Sequence, residues 1–196
     1  MKGSILTNAT APDRNSTDFY PTPSNVTIAL MRYLDIRSKT VWEPACGNGM
    51  MAETLVNCGV NVIATELYGQ GYGECGIDFL TEPFRNCDYI ITNPPFKLSE
   101  LFIKRCIEHG VPFAMLLKSQ YWHSNRRLKL FDAHPPSAVL PLVWRPDFHF
   151  GKKGGSPTMD CLWTVWNDKP SDYTIYKPLQ KPSVEAFPQI TGFVKE

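Results

Sequence analysis

The tetrapeptide Asn93-Pro94-Pro95-Phe96 combines an amide side chain and an aromatic ring in one rigid turn. It follows Asp88-Tyr89-Ile90-Ile91-Thr92, whose apolar residues predict a short buried strand. Two successive prolines then prevent both further strand pairing and the start of a helix, so the turn is fixed at the carboxyl end of the strand. Ligands of open α/β sheets bind at that edge. An Asn-Pro dipeptide alone is more typical of an ordinary turn, but the four residues together favour a functional site.

A second candidate site is the heptapeptide Glu43-Pro44-Ala45-Cys46-Gly47-Asn48-Gly49, which we call the glycine turn. Residues 40–43 predict the first strand, and helical spacing of apolar residues continues to about position 59. The heptapeptide is therefore predicted to lead from a strand into a helix. Gly47 and Gly49 permit backbone conformations that are closed to other residues and let a ligand approach the main chain. The turn lacks the third glycine of the dinucleotide fingerprint, which argues against NAD.

A third element, Asp18-Phe19-Tyr20-Pro21-Thr22-Pro23, is a rigid extended segment before a predicted helix that Ser24 would cap. It is either a proline-rich lead-in to the helix or part of a binding site.

Along the chain these elements come in the order 18–23, glycine turn and 93–96, and in this order they resemble the motifs of N6-adenine DNA methyltransferases, particularly the small enzymes of phages and prophages. The resemblance covers roughly residues 18–167 and is most specific at the glycine turn and at 93–96. It implies a class I, Rossmann-like methyltransferase fold with S-adenosylmethionine (SAM) as the cofactor. The cofactor-binding residues that it implies are Tyr20, Thr22 and Pro23 at the methionine end, and Glu43, Pro44, Ala45, Gly47 and Gly49 in the glycine turn.

Two acidic residues at later positions extend the implied cofactor site. Glu66 follows the predicted strand at 61–65, where a carboxylate can accept both ribose hydroxyls; the alternative is a solvated loop carboxylate. Asp78 stands beside Phe79, a pair that suits the adenine of SAM, because the carboxylate can accept from its amino group while the ring packs on its face. A turn aspartate beside a core phenylalanine is an equally good interpretation.

The resemblance also implies catalytic roles for Asn93, Pro94, Pro95 and Phe96. The exocyclic nitrogen of adenine or cytosine is a poor nucleophile, since its lone pair is delocalised into the ring. In the implied arrangement, the side-chain carbonyl of Asn93 and the main-chain carbonyl of Pro94 each accept one amino hydrogen. Phe96 stacks on the base, which in double-stranded DNA must first be flipped out of the helix.

Several alternatives stay open from the sequence. The same type of motif occurs in enzymes that methylate cytosine N4 in DNA, adenine N6 in RNA, or glutamine side chains of proteins. Phe96 favours adenine, and the basic charge described below argues against glutamine. A catalytically inactive nucleic-acid-binding module of the same fold is a further alternative, which the intact motifs disfavour. The chain has no room for a large target-recognition region, so the segments 119–129 and 145–158 are expected to contact bases.

Alternating strands and helices must position these motifs, which predicts a doubly wound, mostly parallel α/β sheet. The later elements are predicted as strands at 113–117, 138–140, 143–144 and 161–166, a helix at 101–109 and a short helix capped by Ser124.

Length and composition indicate one domain at 17–168, which the resemblance identifies as a methyltransferase domain, with a flexible arm at 1–16 and an extended or loosely packed tail at 169–196. The chain has 196 residues, of which 43% are hydrophobic and 20% charged, as in ordinary globular proteins. No apolar run reaches the ~18 residues that span a bilayer, and the start lacks the apolar core of a signal peptide, so we expect a cytoplasmic protein. Six cysteines without metal-ligand spacing predict reduced thiols and no metal.

Charge is distributed unevenly, although the net charge is only +1. Residues 97–153 contain ten Lys or Arg against four Asp or Glu, whereas the remainder contains ten against fifteen. This asymmetry suits a protein that meets a polyanion on one side, which the resemblance implies to be DNA; a merely solvated basic face is the alternative. The candidate phosphate-binding residues are Arg126, Arg127, Lys129, Lys152 and Lys153.

Overall fold

Eight strands form one mixed sheet in the computed structural model, which describes residues 20–149, 156–167 and 173–183. The flexible arm predicted at 1–16 lies outside these residues. The strands are β1 (Thr40–Glu43), β2 (Asn61–Glu66), β3 (Glu74–Cys75), β4 (Tyr89–Thr92), β5 (Phe113–Lys118), β6 (Ala138–Pro141), β7 (Cys161–Trp166) and β8 (Ile175–Tyr176).

The order of the strands across the sheet is β3-β2-β1-β4-β5-β7-β6-β8. All neighbouring pairs are parallel except the two that involve β7, which runs antiparallel to β5 and to β6. The strand order reverses between β1 and β4, and this switch point is where an open α/β sheet forms a ligand crevice. Asn93 and the glycine turn follow these two central strands directly.

Four helices accompany the sheet within the described residues: α1 (Ser24–Met31), α2 (Met50–Asn57), α3 (Ser99–His109) and α4 (Leu128–Ala133). Successive strand residues point to opposite faces, and the core divides accordingly into two clusters. On one face, strand residues such as Val41 and Ile91 pack with α1 and α2. On the other face, Trp42 and Ile90 pack with α3. The doubly wound arrangement predicted from the sequence is confirmed.

Three local predictions differ from the structure. Residues 143–144 are not a strand: β6 ends at Pro141, and Val143 is 62% exposed. Ser24 does not cap α1, because Pro23 holds the N-cap position without a side-chain hydrogen bond. The Ser24 hydroxyl instead accepts a hydrogen bond from Thr54 at 3.1 Å and so ties α1 to α2. Ser124 likewise makes no side-chain cap; a 3₁₀ turn, Asn125–Arg127, separates it from α4.

The remaining features concern thiols, membranes and the end of the chain. All six cysteines are free, and four of them are buried. Among the described residues no helix combines the length and apolar character needed to cross a bilayer. Part of the segment after 168 joins the sheet, since β8 pairs in parallel with β6 and Leu179 bridges to Leu142.

Candidate active site

Asn93 lies directly after β4, and two hydrogen bonds fix the orientation of its side chain. The amide nitrogen Nδ2 donates to the main-chain carbonyl oxygen of Tyr20 and to the hydroxyl oxygen of Thr22, each at 3.1 Å. A carbonyl oxygen can only accept a hydrogen bond, so the amide atom that faces Tyr20 must be the nitrogen. The segment before α1 therefore holds this amide in one orientation.

That orientation leaves the side-chain oxygen of Asn93 buried and, among the described residues, without a hydrogen-bond partner. A buried acceptor with no donor costs about 1–3 kcal/mol, and such a group in a native protein calls for a specific explanation. An N–H group of a ligand at this oxygen would supply the missing bond. Asn93 Oδ1 is therefore a candidate acceptor for a donor group of a bound molecule.

The two prolines determine how the chain leaves the sheet. Pro94 and Pro95 are both buried, and Pro95 has an extended backbone with φ −52° and ψ 122°. Its carbonyl oxygen accepts the N–H of Leu98 at 2.8 Å. A 3₁₀ turn, Phe96–Leu98, then leads directly into α3. Asn93 and Phe96 are consequently parts of one short and rigid turn.

Tyr20 connects this turn to a group of aromatic rings. Its ring centroid lies 5.6 Å from that of Phe96, 5.7 Å from that of Phe148 and 5.9 Å from that of His149. The ammonium nitrogen of Lys118, at the end of β5, lies 4.2 Å from the centroid of the Phe96 ring. Phe96 itself is half-buried, so part of its ring is accessible to a planar ligand.

A cleft opens beside Pro95 at the carboxyl ends of β1, β2 and β4. Its lining combines two carboxylates with apolar and aromatic side chains, which suits a ligand that carries polar groups on one part and a flat ring on another. The lining residues are Pro44, Ala45, Glu66, Leu67, Tyr68, Ile77, Asp78, Phe79, Pro95, Leu98 and Phe102. The cleft thus brings together residues of the glycine turn, the two acidic positions and the Asn-Pro-Pro-Phe turn.

Glu66, the last residue of β2, is almost completely buried. Its Oε2 accepts the N–H of Gly47 at 2.9 Å, and its Oε1 accepts the N–H of Tyr68 at 3.2 Å. These bonds couple the end of β2 to the glycine turn after β1. A carboxylate has about four acceptor positions, so these main-chain bonds are compatible with the predicted contact to ribose hydroxyls.

Asp78 and Phe79 both line the cleft, but in different ways. Asp78 is half-buried, and its Oδ1 accepts the N–H of Leu80 at 3.0 Å, as in an ordinary aspartate turn. Phe79 is 2% exposed and packs against Trp42 and Phe102, with ring centroids 5.1 and 4.9 Å apart. Phe79 is therefore a core residue as well as part of the cleft wall. The contact of this pair with adenine stays a prediction.

Glu43, the last residue of β1, is 2% exposed, and its Oε2 has no hydrogen-bond partner among the described residues. Burial raises the pKa of its carboxyl well above the usual range, and the negative charge of Glu66 raises it further. The backbone N–H of Ala52 acts in the opposite direction. Because a nearby positive charge stabilises such a carboxylate, Glu43 marks the glycine turn as a favourable place for a cationic group.

Cys46 lies within the glycine turn but is a poor candidate nucleophile. Burial raises the pKa of its thiol to about 12, and the negative charges of Glu43 and Glu66 contribute to the shift. The thiolate is the reactive form of cysteine, so this thiol is inert at neutral pH.

Tyr72 covers the glycine turn, a contact that the sequence analysis missed. The structure has no space for a side chain at Gly49, because a Cβ atom there would overlap the ring of Tyr72. The main-chain carbonyl of Tyr72 also accepts a weak hydrogen bond from the Cys46 thiol at 3.5 Å. The signal available in the sequence was an aromatic residue between two glycines, Gly71 and Gly73, shortly after the second strand.

Gly49→Ala should destabilise the protein more than Gly59→Ala. Both glycines have φ +85°, so both substitutions introduce a left-handed strain of about 1–2 kcal/mol. The added Cβ would meet nothing within 4 Å at Gly59, whereas at Gly49 it would meet Tyr72. We expect an additional loss of about 1–3 kcal/mol at Gly49 from this overlap, measurable by urea unfolding.

A Tyr72→Ala background provides the control for this comparison. Removal of the ring should eliminate the additional loss and leave the two glycine variants equally destabilised. Equal losses in the presence of Tyr72 would contradict the contact.

Of the predicted phosphate-binding residues, Arg127 is engaged within the fold. Its guanidinium lies over the ring of Tyr121, 3.9 Å from the centroid, and donates to the main-chain carbonyl of the same residue at 2.6 Å. Arg127 is therefore better placed to hold the segment after β5 in shape than to bind a phosphate.

Arg126 and Lys129 are exposed to solvent. Arg126 lies 3.4 Å from Glu100, in the first turn of α3 and four residues after Phe96. This places the segment 124–129 next to the helix that follows the Asn-Pro-Pro-Phe turn. Lys152 and Lys153 lie outside the described residues, and their role stays a prediction.

Comparisons with known proteins bear on the fold. No protein-family model matches the chain, and no curated protein matches its sequence. Among solved structures, an inferred RNA methyltransferase from Pyrococcus horikoshii has a TM-score of 0.60 at 19% identity, covering 76% of this chain and 86% of its own. An inferred class I SAM-dependent methyltransferase from Listeria monocytogenes has a TM-score of 0.58 at 16% identity. This match covers 89% of the present chain and 72% of the Listeria protein.

A third similar structure is the methyltransferase subunit of a type I restriction-modification system from Streptococcus thermophilus. Its TM-score is 0.60 at 13% identity, and the match covers 80% of this chain but only 47% of the subunit. At these identities the likeness concerns the fold. The mostly parallel eight-stranded sheet, with one antiparallel strand near its edge, is that of the class I SAM-dependent methyltransferases.

Proposed function

We propose that this protein transfers a methyl group from SAM to the exocyclic N6 nitrogen of adenine in DNA. The observation that carries the proposal is the side-chain oxygen of Asn93, which is buried and unpaired among the described residues. Tyr20 and Thr22 accept hydrogen bonds from the amide nitrogen Nδ2 and so fix the orientation of that oxygen. An acceptor fixed in this way suits an amino group that must be polarised before it reacts.

The residues that line the cleft, together with Glu43 in the glycine turn, have the side-chain types that support SAM as the cofactor. Glu66 and Asp78 would bind the ribose hydroxyls and the adenine amino group, while the apolar lining packs on the adenine ring. Glu43, whose buried carboxyl has an oxygen without a described partner, would bind the ammonium group of the methionine part. When bound, SAM supplies an electrophilic methyl group on a positively charged sulfur.

Asn93 acts on the target amino group by accepting one of its two hydrogens, and the main-chain carbonyl of Pro94 accepts the other. The two acceptors stabilise the positive charge that develops on the nitrogen. They also draw the nitrogen towards tetrahedral geometry, which releases its lone pair from the ring and makes it available to a methyl group. Because Tyr20 and Thr22 orient the amide before substrate arrives, the protein does not need to reorganise during the reaction.

Phe96 provides the surface on which the target base stacks. Stacking of a base on an aromatic ring contributes about 1–3 kcal/mol, which offsets much of the few kcal/mol needed to extrude a base from a duplex. The two fused rings of adenine gain more from this contact than the single ring of cytosine. Phe96 therefore favours adenine as the target.

The basic charge of residues 97–153 supports a nucleic-acid substrate. Exposed cations such as Arg126 and Lys129 would contact backbone phosphates, and Lys152 and Lys153 belong to the same basic stretch. Such contacts position the nucleic acid without reading its sequence. Base recognition would fall to the segments 119–129 and 145–158.

A methyl-transfer assay followed by nucleoside analysis tests the proposal. Purified protein is incubated with SAM that carries a labelled methyl group, together with unmethylated duplex DNA or, in parallel, with RNA. The products are digested to nucleosides and separated. We expect label in N6-methyl-2′-deoxyadenosine from the DNA sample.

Other outcomes would change the proposal in defined ways. Label in N4-methylcytosine, or in the RNA sample alone, would contradict the substrate and retain the chemistry of the amino group. No label in any sample, with SAM binding intact, would contradict methyl transfer to nucleic acid.

A further inference from the structure

We infer that Lys118 binds the phosphate adjacent to the target nucleotide, and so anchors the nucleic-acid backbone beside the Asn-Pro-Pro-Phe turn. The inference rests on the proposed function and extends it to a residue that neither the motifs nor the charge pattern singled out. Its basis is the position of the Lys118 ammonium group beside the Phe96 ring. Two further arguments are that Lys118 has no acidic partner among the described residues, and that the proposed methyl transfer limits which anion this lysine can bind.

The sheet brings Lys118 to the same edge as Asn93. Lys118 is the last residue of β5, which lies parallel and next to β4. In the register of this pair Thr92 lies opposite Met115, so the residues that follow both strands share one edge. The ammonium nitrogen of Lys118 lies 4.2 Å from the centroid of the Phe96 ring, the surface proposed to receive the base.

Lys118 has no acidic partner within the part of the chain that the structure describes. Two other cations near the turn do have one: Lys104 lies 2.9 Å and Arg126 3.4 Å from carboxylate oxygens of Glu100. Lys97, next to Phe96, also has no described acidic partner, but unlike Lys118 it is exposed to solvent. Lys118 is half-buried, and the aromatic face of Phe96 supplies its observed partner. A partly desolvated ammonium with only a ring as partner gains strongly from an anion.

The chemistry of methyl transfer indicates which anion this is. The nitrogen that is methylated becomes more positive during the reaction, so a lysine close to it would not stabilise the transition state by its charge. A backbone phosphate carries the charge that an ammonium binds best. When a base stacks on Phe96, its own phosphate comes within reach of the flexible lysine side chain, which can move off the ring.

The salt dependence of DNA binding tests this inference without SAM and without catalysis. Binding of a fluorescein-labelled mixed-sequence duplex is measured by anisotropy over a series of salt concentrations for wild type, Lys118→Met and Lys118→Arg. The plot of log K against log salt has a negative slope, and loss of one phosphate contact makes it less steep by about 0.9. Lys118→Met should show this decrease, so that its affinity falls about 3.5-fold less than that of wild type between 50 and 200 mM salt.

Two further variants and a melting temperature test whether the change in slope of Lys118→Met comes from the altered net charge of the protein or from a disturbed fold. Lys118→Arg should keep the wild-type slope, because the positive charge is retained. Lys39→Met removes the same charge at the opposite edge of the sheet, where Lys39 lies 3.7 Å from Asp88, and should also keep the wild-type slope. Methionine preserves an extended side chain against Phe96, so the melting temperature of Lys118→Met should match that of wild type.

The possible failures are distinguishable. A wild-type protein that binds and methylates DNA, combined with an unchanged slope in Lys118→Met, would overturn the role of Lys118 alone. A lower melting temperature and lower kcat with an unchanged slope would instead assign Lys118 to bracing Phe96. Absence of DNA binding and methyl transfer by wild type would overturn the proposed function and this inference with it.

Discussion

Replacement of Asn93 by alanine should lower the rate of methyl transfer by at least about 10²–10³-fold, the usual cost of losing one preorganised group that stabilises developing charge. Asn93→Ala removes the side-chain oxygen that is buried and unpaired among the described residues. SAM should still bind, because the cleft is lined by other side chains. Single-turnover rates with labelled SAM, combined with calorimetric titration of SAM, measure the two effects separately.

Thr22→Val is the informative comparison for Asn93→Ala. It removes one of the two acceptors that orient the Asn93 amide and leaves the other, the carbonyl of Tyr20, in place. We expect a smaller decrease in rate, of about fivefold, since loss of one hydrogen bond of about 1 kcal/mol allows the amide to rotate. An unchanged rate in Asn93→Ala would refute the assignment of Asn93 as the acceptor.

Glu43→Gln should have opposite effects on the free protein and on SAM binding. The free protein should become more stable at pH 7, by about 1 kcal/mol or roughly 2–4 °C in melting temperature, because a buried carboxyl that resists ionisation is replaced by a neutral group. SAM binding should weaken by about 10–100-fold, since a hydrogen bond between charged groups is lost. Thermal unfolding with and without SAM measures both effects.

The pH dependence of this stability difference has a defined sign. Below the unfolded-state pKa of 4.5, Glu43 is protonated in both states and contributes no difference. As the pH rises above that value, the unfolded chain ionises while the folded carboxyl, with its raised pKa, retains the proton. Wild type therefore loses stability relative to Glu43→Gln as the pH increases from about 4.5 towards the folded-state pKa.

An exposed acidic residue serves as the control. Glu108→Gln removes the same charge from a side chain that is 62% exposed and lies 2.9 Å from Arg105, and should leave SAM binding unchanged. A Glu43→Gln variant that is less stable than wild type at pH 7, or that binds SAM with unchanged affinity, would contradict the role assigned to Glu43.

Much of the fold could be predicted because buried strands have a strong local signal. The apolar runs at 89–92, 113–118 and 161–166 are buried on both faces of the sheet, and a continuous apolar run is what such a position requires. Residues 143–144 carry a similar apolar pair, but β6 is already paired to β7 over 138–141 and the chain turns away after it. Whether residues 143–144 form a strand therefore depends on pairing between distant parts of the chain, which the local sequence does not show.

The positions of the two turns in the candidate site were predictable from the sequence, but their contacts were not. Glycine and proline patterns located both turns, since those residues restrict or extend the backbone in known ways. The bonds from Asn93 to Tyr20 and Thr22 join positions 73 and 71 residues apart, and no local pattern reports such a distance. The same holds for Tyr72 over Gly49 and for Lys118 over Phe96, which depend on how the strands are ordered.

The antiparallel direction of β7 determines at which edge of the sheet the connection between β6 and β7 lies. Because β7 runs against both of its neighbours, β5 and β6 end, and β7 begins, at the edge of the sheet that carries Asn93. The connection between β6 and β7 therefore leaves from and returns to that edge. Insertions or exchanges within it alter what is presented to Asn93 without shifting the strand that holds this residue. Under the proposed function, target preference can thus change through this connection, while the strands that position Asn93 stay constant.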